Sequence, residues 1–289
     1  MKILITGTNG IVGKEIANKL IKYKKFKVFR SSNKKSKKTL HKKNYFLNQN
    51  LTKPIKIEKY FDVIIHCASK HPFSKYGNHM KKVFSDNIKI TKNLINFANK
   101  NNVKYFIFLS SIDVYGHIKS NTISEIKKVN KPNLYGKSKL QSETILCNKK
   151  NKFRSICLRL PGVFVINLSR DYPLIINLVK KIKNSKELNI YNSNKNFNNV
   201  IDTHEIVKFL IFILKRGFKT SEIYNFSAVK PIKFLSAINL IKKIFKSNSK
   251  IIIKETKKQS FTIQNKKLIK KFNYNIASTE NIIKRCCSQ

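Results

Sequence analysis

Acidic residues are scarce in this chain. Only 14 Asp and Glu stand against 61 Lys and Arg, for a formal net charge of +47. Clustered basic charge would suit nucleic acid, because it neutralises phosphates and releases counterions. The 55 lysines are scattered along the whole length, however, and Ile (41) and Asn (34) are also abundant while Ala, Pro and Arg number six each. A/T-rich codons produce such a skew. We therefore expect no specific nucleic-acid partner, and any such binding to be sequence-blind and weakened by salt.

Cysteine pairs and long apolar runs are missing as well. The five cysteines show no C-x-x-C or other metal-ligand spacing, which predicts no metal site and suits a reducing cytosol. The longest apolar run, near residues 206–214, falls well short of the ~18 residues that a membrane span needs. The N-terminus runs directly into a strand-like segment, which leaves no room for a signal peptide. We expect a cytoplasmic protein without a membrane partner.

What the chain does contain is an alternation of strand-like and helix-like segments. Short apolar runs predict strands over 2–6, 26–30, 62–66, 104–109, 153–160, 199–201 and 223–226. Helical spacing of apolar residues predicts helices over 11–23, 80–100, 134–148, 174–183, 205–215 and 234–245. The polar stretch 31–43 predicts a surface loop, and Asp202 with Glu205 predicts a capping box rather than a catalytic pair. The alternation predicts an α/β fold with a Rossmann-like, doubly wound parallel sheet.

Three of the eight glycines lie at the junction of the first predicted strand and the first predicted helix. They are Gly7 and Gly10, which follow the strand, and Gly13, which lies in the first turn of the helix. In such a context the first glycine permits a tight turn, the second lets backbone approach a pyrophosphate, and the third lets the helix pack on the strand. The helix N-terminus then offers the phosphates its free N–H groups and partial positive charge. This spacing predicts a dinucleotide-binding loop.

A Tyr-x-x-x-Lys pair, Tyr135 and Lys139, lies in the helix predicted over 134–148. Residues four apart share one helix face. The ammonium can therefore stabilise a phenolate and turn a side chain with a free pKa near ~10 into a usable base near neutrality. Ser111 stands upstream in the segment Phe-Leu-Ser-Ser-Ile-Asp-Val-Tyr-Gly, residues 108–116.

Together, and in this order, these motifs resemble the extended short-chain dehydrogenase/reductase family, also called the NAD-dependent epimerase/dehydratase family. The resemblance implies that Tyr135 exchanges a proton with a substrate oxygen. It also implies that Lys139 binds the nicotinamide ribose and lowers the tyrosine pKa, and that Ser111, rather than Ser110, holds the reacting oxygen. The implied cofactor-binding residues are Gly7, Thr8, Asn9, Gly10, Ile11, Val12, Gly13, Arg30, Ser31, Asn50, Leu51, Cys67, Ala68, Ser69, Asn87, Tyr135, Lys139 and Pro161.

The choice between NAD and NADP depends on the end of the second predicted strand. NAD enzymes usually place an acid there to bind the ribose 2′-hydroxyl, whereas this chain has Arg30. Arginine suits a 2′-phosphate, which favours NADP and leaves NAD open. His66, before the Cys-Ala-Ser run, is interpreted as a packing residue at a strand end.

The resemblance also implies a division of labour along the chain. Residues 1–164, with 198–226 returning to them, would form the NAD(P)-binding Rossmann domain. Residues 165–197 and 227–289 would form a substrate-binding lobe. Nucleotide-sugar dehydratases carry an Asp-Glu pair where this chain has Ile112 and Asp113; isoleucine cannot give a proton, so dehydration is disfavoured.

The leading interpretation is an NAD(P)-dependent enzyme that epimerises a nucleotide-linked sugar through a transient ketone or reduces its 4-keto group. A reductase of a non-nucleotide carbonyl and a non-catalytic dinucleotide sensor are the alternatives. Expected partners are accordingly a nucleotide sugar or another small carbonyl or alcohol substrate, with a homodimer left open.

Overall fold

The structure, a computed structural model, describes residues 1–33, 45–71, 79–165, 174–257 and 259–288. Its strands, in chain order, are β1 (Lys2–Thr6), β2 (Lys27–Ser32), β3 (Tyr45–Asn48), β4 (Val63–His66), β5 (Tyr105–Ser111), β6 (Thr122–Ile123), β7 (Arg154–Leu160), β8 (Gly162–Phe164), β9 (Leu188–Tyr191), β10 (Asn196–Phe197), β11 (Val200–Asp202), β12 (Glu222–Asn225), β13 (Ile232–Lys233), β14 (Ile251–Lys254) and β15 (Thr262–Ile263). Its helices are α1 (Ile11–Leu20), α2 (Met80–Lys100), α3 (Leu134–Leu146), α4 (Leu174–Lys183), α5 (Thr203–Arg216), α6 (Phe234–Phe245), α7 (Lys266–Phe272) and α8 (Thr279–Cys287). A 3-10 turn covers Ile112–Tyr115.

Contacts between residues divide the chain into two compact units. The first comprises residues 1–116, 129–159 and 207–224, and the second comprises 117–128, 160–206 and 225–289, within the described ranges. None of the described helices is both long and apolar enough to cross a membrane.

The first unit is built on a seven-stranded sheet in the order β12-β7-β5-β4-β1-β2-β3. The pairings β1–β2, β2–β3, β1–β4 and β4–β5 are all parallel. The order reverses direction between β1 and β4, so this sheet is doubly wound, and ligands of such sheets bind at the carboxyl ends of the strands beside that switch point. The predicted Rossmann-like α/β fold is confirmed.

The core of the first unit explains why these segments fold as they do. Successive central strands are buried along most of their length, which requires apolar side chains on both faces. One cluster joins the sheet to helices α2 and α3, and it includes Leu4, Phe29, Ile64, Leu94, Phe97, Phe106, Leu146 and Phe153. This packing holds α2 and α3 together on the sheet.

The second unit consists of short strand pairs and helices. Its pairs are β6–β15, β8–β11, β9–β14 and β10–β13, and α6 packs against α4 and α8. Asp202 caps α5, since the Glu205 backbone N–H donates to its Oδ1 at 2.8 Å. The same carboxylate binds Arg285 of α8 at 2.6 and 3.0 Å. The predicted structural role of Asp202 is therefore confirmed.

Two sequence-based expectations need correction. The loop predicted from residue 31 is wrong at its start, because Ser31 and Ser32 are buried residues of β2 that pair with β3. Residues 34–43 of that predicted loop lie outside the described residues. Strand β3 was not predicted, since Tyr45–Asn48 is short and only partly buried.

Candidate functional site

The glycine loop follows β1 at the switch point of the sheet. Gly7 has φ +72°, and a Cβ there would lie 2.6 Å from the Ala68 backbone after β4. A Cβ at Gly13 would lie 2.6 Å from the Gly7 carbonyl oxygen, so both positions need glycine. Gly10 differs, because among the described residues its Cβ would meet one atom, the Gly7 oxygen at 3.2 Å. Space is therefore left in front of Gly10.

Helix α1 begins directly after Gly10. Gly10 is the N-cap of α1 and makes no side-chain hydrogen bond to the helix, and the first turn contains no acidic residue. The first backbone N–H groups of α1 are therefore available to an anion. Of the other predicted loop residues, Thr8 is buried and its hydroxyl donates to the Ser31 carbonyl at 3.3 Å. Asn9 is exposed. The loop accordingly fits a dinucleotide pyrophosphate.

The end of β2 carries two polar atoms that lack partners among the described residues. They are Arg30 Nε and Ser31 Oγ, both buried. The other end of the Arg30 side chain is held, since Nη2 donates to Asn18 Oδ1 of α1 at 2.5 Å. Burial lowers the pKa of Arg30, although an arginine stays charged at neutral pH. Orphaned donors beside a glycine loop are what a bound adenosine ribose would satisfy.

The end of β4 contributes the Cys67–Ser69 backbone. Thr6 Oγ1 accepts from the Ala68 N–H at 3.2 Å and also bonds His66 Nδ1 at 2.9 Å. His66 is buried and stacks on Phe108 with ring centroids 5.2 Å apart. Burial lowers the pKa of His66 well below its usual range. It is thus a neutral, hydrogen-bonded core residue, as the sequence indicates. Burial also raises the pKa of the Cys67 thiol to about 12, so that thiol is unreactive at neutral pH.

The remaining predicted cofactor residues have mixed surroundings. The Asn50 side chain closes its own turn, with Oδ1 accepting from Thr52 N–H at 3.0 Å and Oγ1 at 2.8 Å, while Leu51 is a core residue. Asn87 of α2 binds the Lys70 backbone in both directions, at 2.8 and 3.1 Å. Asn87 therefore supports the segment after β4. Pro161 directly follows β7 and belongs to the second unit.

Helix α3 places Tyr135 and Lys139 on one face. Asn133 starts the helix by accepting from the Gly136 N–H at 2.8 Å. Both side chains are buried, at 7% and 4% exposure. The Lys139 ammonium donates to the Leu109 carbonyl of β5 at 2.8 Å and lies 5.6 Å from the Tyr135 ring centroid. The predicted pair is therefore assembled beside the end of β5.

Burial controls the charge of Lys139. It lowers the pKa of Lys139 from 10.5 to about 8, against opposing effects from Cys67, Glu143, Asp113 and Cys157. An ammonium so poorly solvated interacts strongly with any anion that forms beside it. The site can thus stabilise a phenolate at Tyr135.

Ser110 and Ser111 separate into two roles at the end of β5. Ser110 is buried, and its hydroxyl donates to Glu143 Oε1 at 2.6 Å. Ser111 is partly exposed, and its Oγ accepts from the Asp113 N–H at 3.1 Å, which caps the 3-10 turn. Ser111 is therefore the more exposed of the two serines, and its side chain also forms a hydrogen bond with the Asp113 carboxyl group that acts to lower the pKa of Asp113.

The sequence model of the NAD dependent epimerase/dehydratase family matches residues 3–226. The chain belongs to this family. The resemblance predicted from the glycine loop, Ser111 and the Tyr-x-x-x-Lys pair is confirmed. The family name describes enzymes that depend on NAD.

Two curated proteins that are similar to this chain are named as epimerases. An uncharacterised UDP-glucose epimerase, YtcB, of Bacillus subtilis (strain 168) is 26% identical over 261 residues, which is 84% of this chain and 82% of that protein. The N-acetyl-alpha-D-glucosaminyl-diphospho-ditrans,octacis-undecaprenol 4-epimerase of Escherichia coli O157:H7 is 31% identical over 174 residues, 57% of this chain and 49% of that protein.

Solved structures share the fold over nearly the whole chain. The UDP-glucuronic acid 4-epimerase of Bacillus cereus in complex with NAD has a TM-score of 0.82 at 19% identity, with 98% of this chain and 96% of that chain covered. The UDP-N-acetylglucosamine 4-epimerase of Methanobrevibacter ruminantium M1, in complex with UDP-N-acetylmuramic acid, has a TM-score of 0.82 at 20% identity, with coverages of 99% and 96%.

Sequence analysis of this family member missed three residues around the site. The His71 ring lies edge-on to Tyr135 with centroids 4.8 Å apart, and burial lowers the pKa of His71 to about 4. Glu143 and Arg159 form a buried ion pair behind Lys139. Glu143 could have been found, because it continues the four-residue spacing of Tyr135 and Lys139. No local pattern marks His71, which reaches Tyr135 only through the fold.

Proposed function

We propose that this protein is a nucleotide-sugar 4-epimerase that uses a bound nicotinamide dinucleotide and the residues Ser111, Tyr135 and Lys139. The observation that carries the proposal is the buried Lys139 ammonium beside the Tyr135 ring, at the carboxyl ends of strands that also hold the glycine loop. The names of the two curated relatives and of the two solved structures described above, each of them called an epimerase, support the choice of reaction.

The chain's own residues would do the acid–base work. The Tyr135 phenolate takes the proton of the sugar hydroxyl, while the Lys139 ammonium stabilises the phenolate and Ser111 donates to the reacting oxygen. When bound beside Tyr135 and Lys139, the dinucleotide would supply the hydride acceptor and donor that the inversion of the sugar carbon needs. Tyr135 then gives its proton back to the same oxygen, so the substrate is inverted without net oxidation.

Dehydration is disfavoured by the residues after Ser111. Ile112 has no proton to give, and only Asp113 carries a carboxyl group there. Burial raises the pKa of Asp113, while Ser111 and Lys139 act in the opposite direction. A single carboxyl group does not supply the acid and base that water elimination needs. Residues 165–197 and 227–289 are proposed to bind the nucleotide sugar; of these, 166–173, 258 and 289 lie outside the described residues.

The experiment is to incubate purified protein with UDP-glucose, UDP-N-acetylglucosamine and UDP-glucuronic acid and to separate the products by chromatography. We expect conversion of at least one to its 4-epimer without added reductant. In parallel, the protein is denatured and the released dinucleotide identified. Conversion that needs stoichiometric NADPH and yields a reduced sugar would replace the epimerase proposal with a reductase.

The glycine loop offers a test of cofactor binding that does not depend on the substrate. A Cβ at Gly10 would lie 3.2 Å from the Gly7 carbonyl oxygen, a close contact that a small shift of the loop relieves, and Gly10 has φ −78°, so Gly10→Ala should still fold. The methyl group would stand where backbone meets the pyrophosphate, so we expect affinity for the dinucleotide to fall by ~10-fold or more, about 1.4 kcal/mol per tenfold. Calorimetric titration measures this, with Lys14→Ala on the exposed face of α1 as control. Unchanged affinity in Gly10→Ala would place the pyrophosphate elsewhere.

We further propose that Arg30 favours NADP over NAD. The support is its cationic side chain at the end of β2, with one donor, Nε, that has no partner among the described residues. Arg30→Asp would remove a charge-assisted contact, repel a 2′-phosphate and create an acceptor for a 2′-hydroxyl. We expect the ratio of the two affinities to move toward NAD by ~10-fold or more.

Titration of both dinucleotides against wild type and Arg30→Asp checks this expectation. Lys27→Asp, at the opposite end of the same strand, is the control for a general loss of positive charge. If both variants show the same affinity ratio as wild type, Arg30 does not select the cofactor and its bond to Asn18 is its whole role.

A further inference from the structure

A buried ion pair lies directly behind the catalytic face of α3. Glu143 is fully buried, and Arg159 is 5% exposed. The guanidinium grips the carboxylate with two nitrogens: Nη2 donates to Oε2 at 2.8 Å, and Nε lies 3.0 and 3.2 Å from Oε1 and Oε2. The Ser110 hydroxyl donates to the same Oε1 at 2.6 Å. Tyr115 completes the cluster, since the Arg159 guanidinium lies 4.8 Å from its ring centroid.

The cluster joins every element that carries a proposed catalytic residue. Tyr135, Lys139 and Glu143 follow one another at intervals of four on α3, so they lie along one face of the helix. Ser110 immediately precedes Ser111 at the end of β5. Arg159 stands near the end of β7, the strand beside β5. One carboxylate therefore ties α3 to the ends of two adjacent strands.

Stability alone gives little reason for such a pair. Removing both charges from water costs several kcal/mol, and well-packed apolar residues of similar volume often serve as well or better. A bidentate guanidinium–carboxylate pair instead fixes the relative position of its two side chains, because the planar guanidinium makes both hydrogen bonds in only one orientation. Helix α3 rises ~1.5 Å per residue, and a misplacement of ~1 Å at a catalytic group can cost ~10²-fold in rate.

We propose that Glu143 and Arg159 are positioning residues, which hold Ser111 through Ser110 and hold the Tyr135–Lys139 pair through α3. The proposal rests on the proposed function for the roles of those three residues. Glu143 also acts on Lys139 electrostatically, because its negative charge opposes the effect of burial and keeps the ammonium protonated.

The sign of that electrostatic effect can be worked out. Groups that act on Lys139, or on which Lys139 acts, come from the ends of β4, from the segment after β5, from β7 and from α3: His66, Cys67, His71, Asp113, Cys157 and Glu143. The two thiols and both histidines are uncharged near neutral pH, which leaves Asp113 as the only other carboxylate in this set. Loss of the Glu143 charge therefore lowers the pKa of Lys139 below about 8. Functions that need the ammonium then fail at a lower pH.

The decisive variant is the paired change Glu143→Gln with Arg159→Met, which leaves no unpaired buried charge. We expect it to fold, with kcat reduced ~10-fold and KM within about threefold of wild type, because positioning acts on the reaction step. The alkaline limb of the kcat profile should move to lower pH. Ser110→Ala, which keeps the ion pair, should lower kcat without moving that limb.

Leu146→Ala is the matched control, since it removes a buried apolar side chain from the same helix. It should destabilise the protein and leave the alkaline limb in place. An unshifted limb in the paired variant, or an equal shift in Leu146→Ala, would overturn the proposal.

A second measurement separates this proposal from the proposed function. NAD⁺ binding is titrated calorimetrically across the same pH range, which needs neither substrate nor turnover. The affinity of the wild-type protein for NAD⁺ should fall as the pH rises through about 8. This fall in affinity should disappear in Lys139→Met. In the paired variant it should occur at a lower pH than in wild type. If wild type epimerises no sugar while this shift is seen, the proposed function fails and the electrostatic role of Glu143 stands. If NAD⁺ affinity falls at the same pH in the paired variant as in wild type, the positioning proposal fails, whether or not the protein epimerises a sugar.

Discussion

Tyr135→Phe is expected to lower turnover by ~10²-fold or more, as loss of a general acid–base group does. The change removes only the phenolic oxygen, so the buried ring keeps its contacts with His71 and with the Lys139 ammonium. Dinucleotide affinity and the free energy of unfolding should therefore stay close to those of wild type. Steady-state kinetics, calorimetric titration and denaturant unfolding measure the three quantities.

Tyr105→Phe is the control for removing a tyrosine hydroxyl. Tyr105 begins β5, at the opposite end of the strand from Ser111, and its hydroxyl lies near Gly217 rather than near the catalytic helix. It should leave turnover unchanged. Near-normal turnover in Tyr135→Phe would rule out the proposed mechanism, and loss of dinucleotide binding along with turnover would mean that the hydroxyl has a binding role instead.

Gly136→Ala is expected to lower the free energy of unfolding substantially. A Cβ at this position would lie 2.2 Å from the Asp113 carbonyl oxygen and 3.1 Å from Pro132 Cβ. Relief requires backbone movement, of either the 3-10 turn or the first turn of α3. We expect a loss of about 3 kcal/mol, the upper end of the range for overpacking. Turnover should fall as well, because Tyr135 is the neighbouring residue.

The neighbouring exposed position supplies the control. Lys137→Ala also adds an alanine to the first turns of α3 but meets no backbone, so its free energy of unfolding should lie within ~0.5 kcal/mol of wild type. Urea unfolding of the three proteins decides the matter. A Gly136→Ala protein as stable as wild type would show that α3 and the 3-10 turn are farther apart in solution than in the structure.

The charge of the chain and the fold have different origins in the sequence. The net charge of +47 reflects lysines spread along the chain, and spread charge says nothing about which residues meet. The fold follows from short apolar runs that alternate with segments of helical apolar spacing. This pattern remains despite the biased composition, because which positions are buried depends on the polarity and spacing of the residues.

Two kinds of site residue could be predicted from local patterns. Gly7, with φ +72°, and Gly13, whose Cβ would meet the Gly7 carbonyl oxygen, are needed by the geometry of a single strand–turn–helix unit, and Tyr135 and Lys139 share a face of a single helix. These constraints arise within a few residues of chain, so spacing predicts them, whereas the close approach of Gly7 to the Ala68 backbone depends on the fold. The preference for Ser111 over Ser110 was an inference from the family pattern. In the structure the two serines have different environments, because only Ser110 reaches Glu143.

The sequence by itself therefore determined the α/β architecture, the glycine loop after the first strand and the shared helix face of Tyr135 and Lys139, because each is encoded by residues close together in the chain. The tertiary structure alone decided the rest. His71 contacts Tyr135, which is 64 residues away in the sequence. Arg159 contacts Glu143 and Tyr115 although the three lie in different elements, β7, α3 and the 3-10 turn. The charge of Lys139 is likewise set mainly by burial, which depends on the fold, and only Glu143, four residues along the same helix, acts on it from nearby in the chain. The burial of a side chain and its pairing with a distant residue depend on the distances at which the elements pack together. The spacing of residues along the chain does not predict those distances.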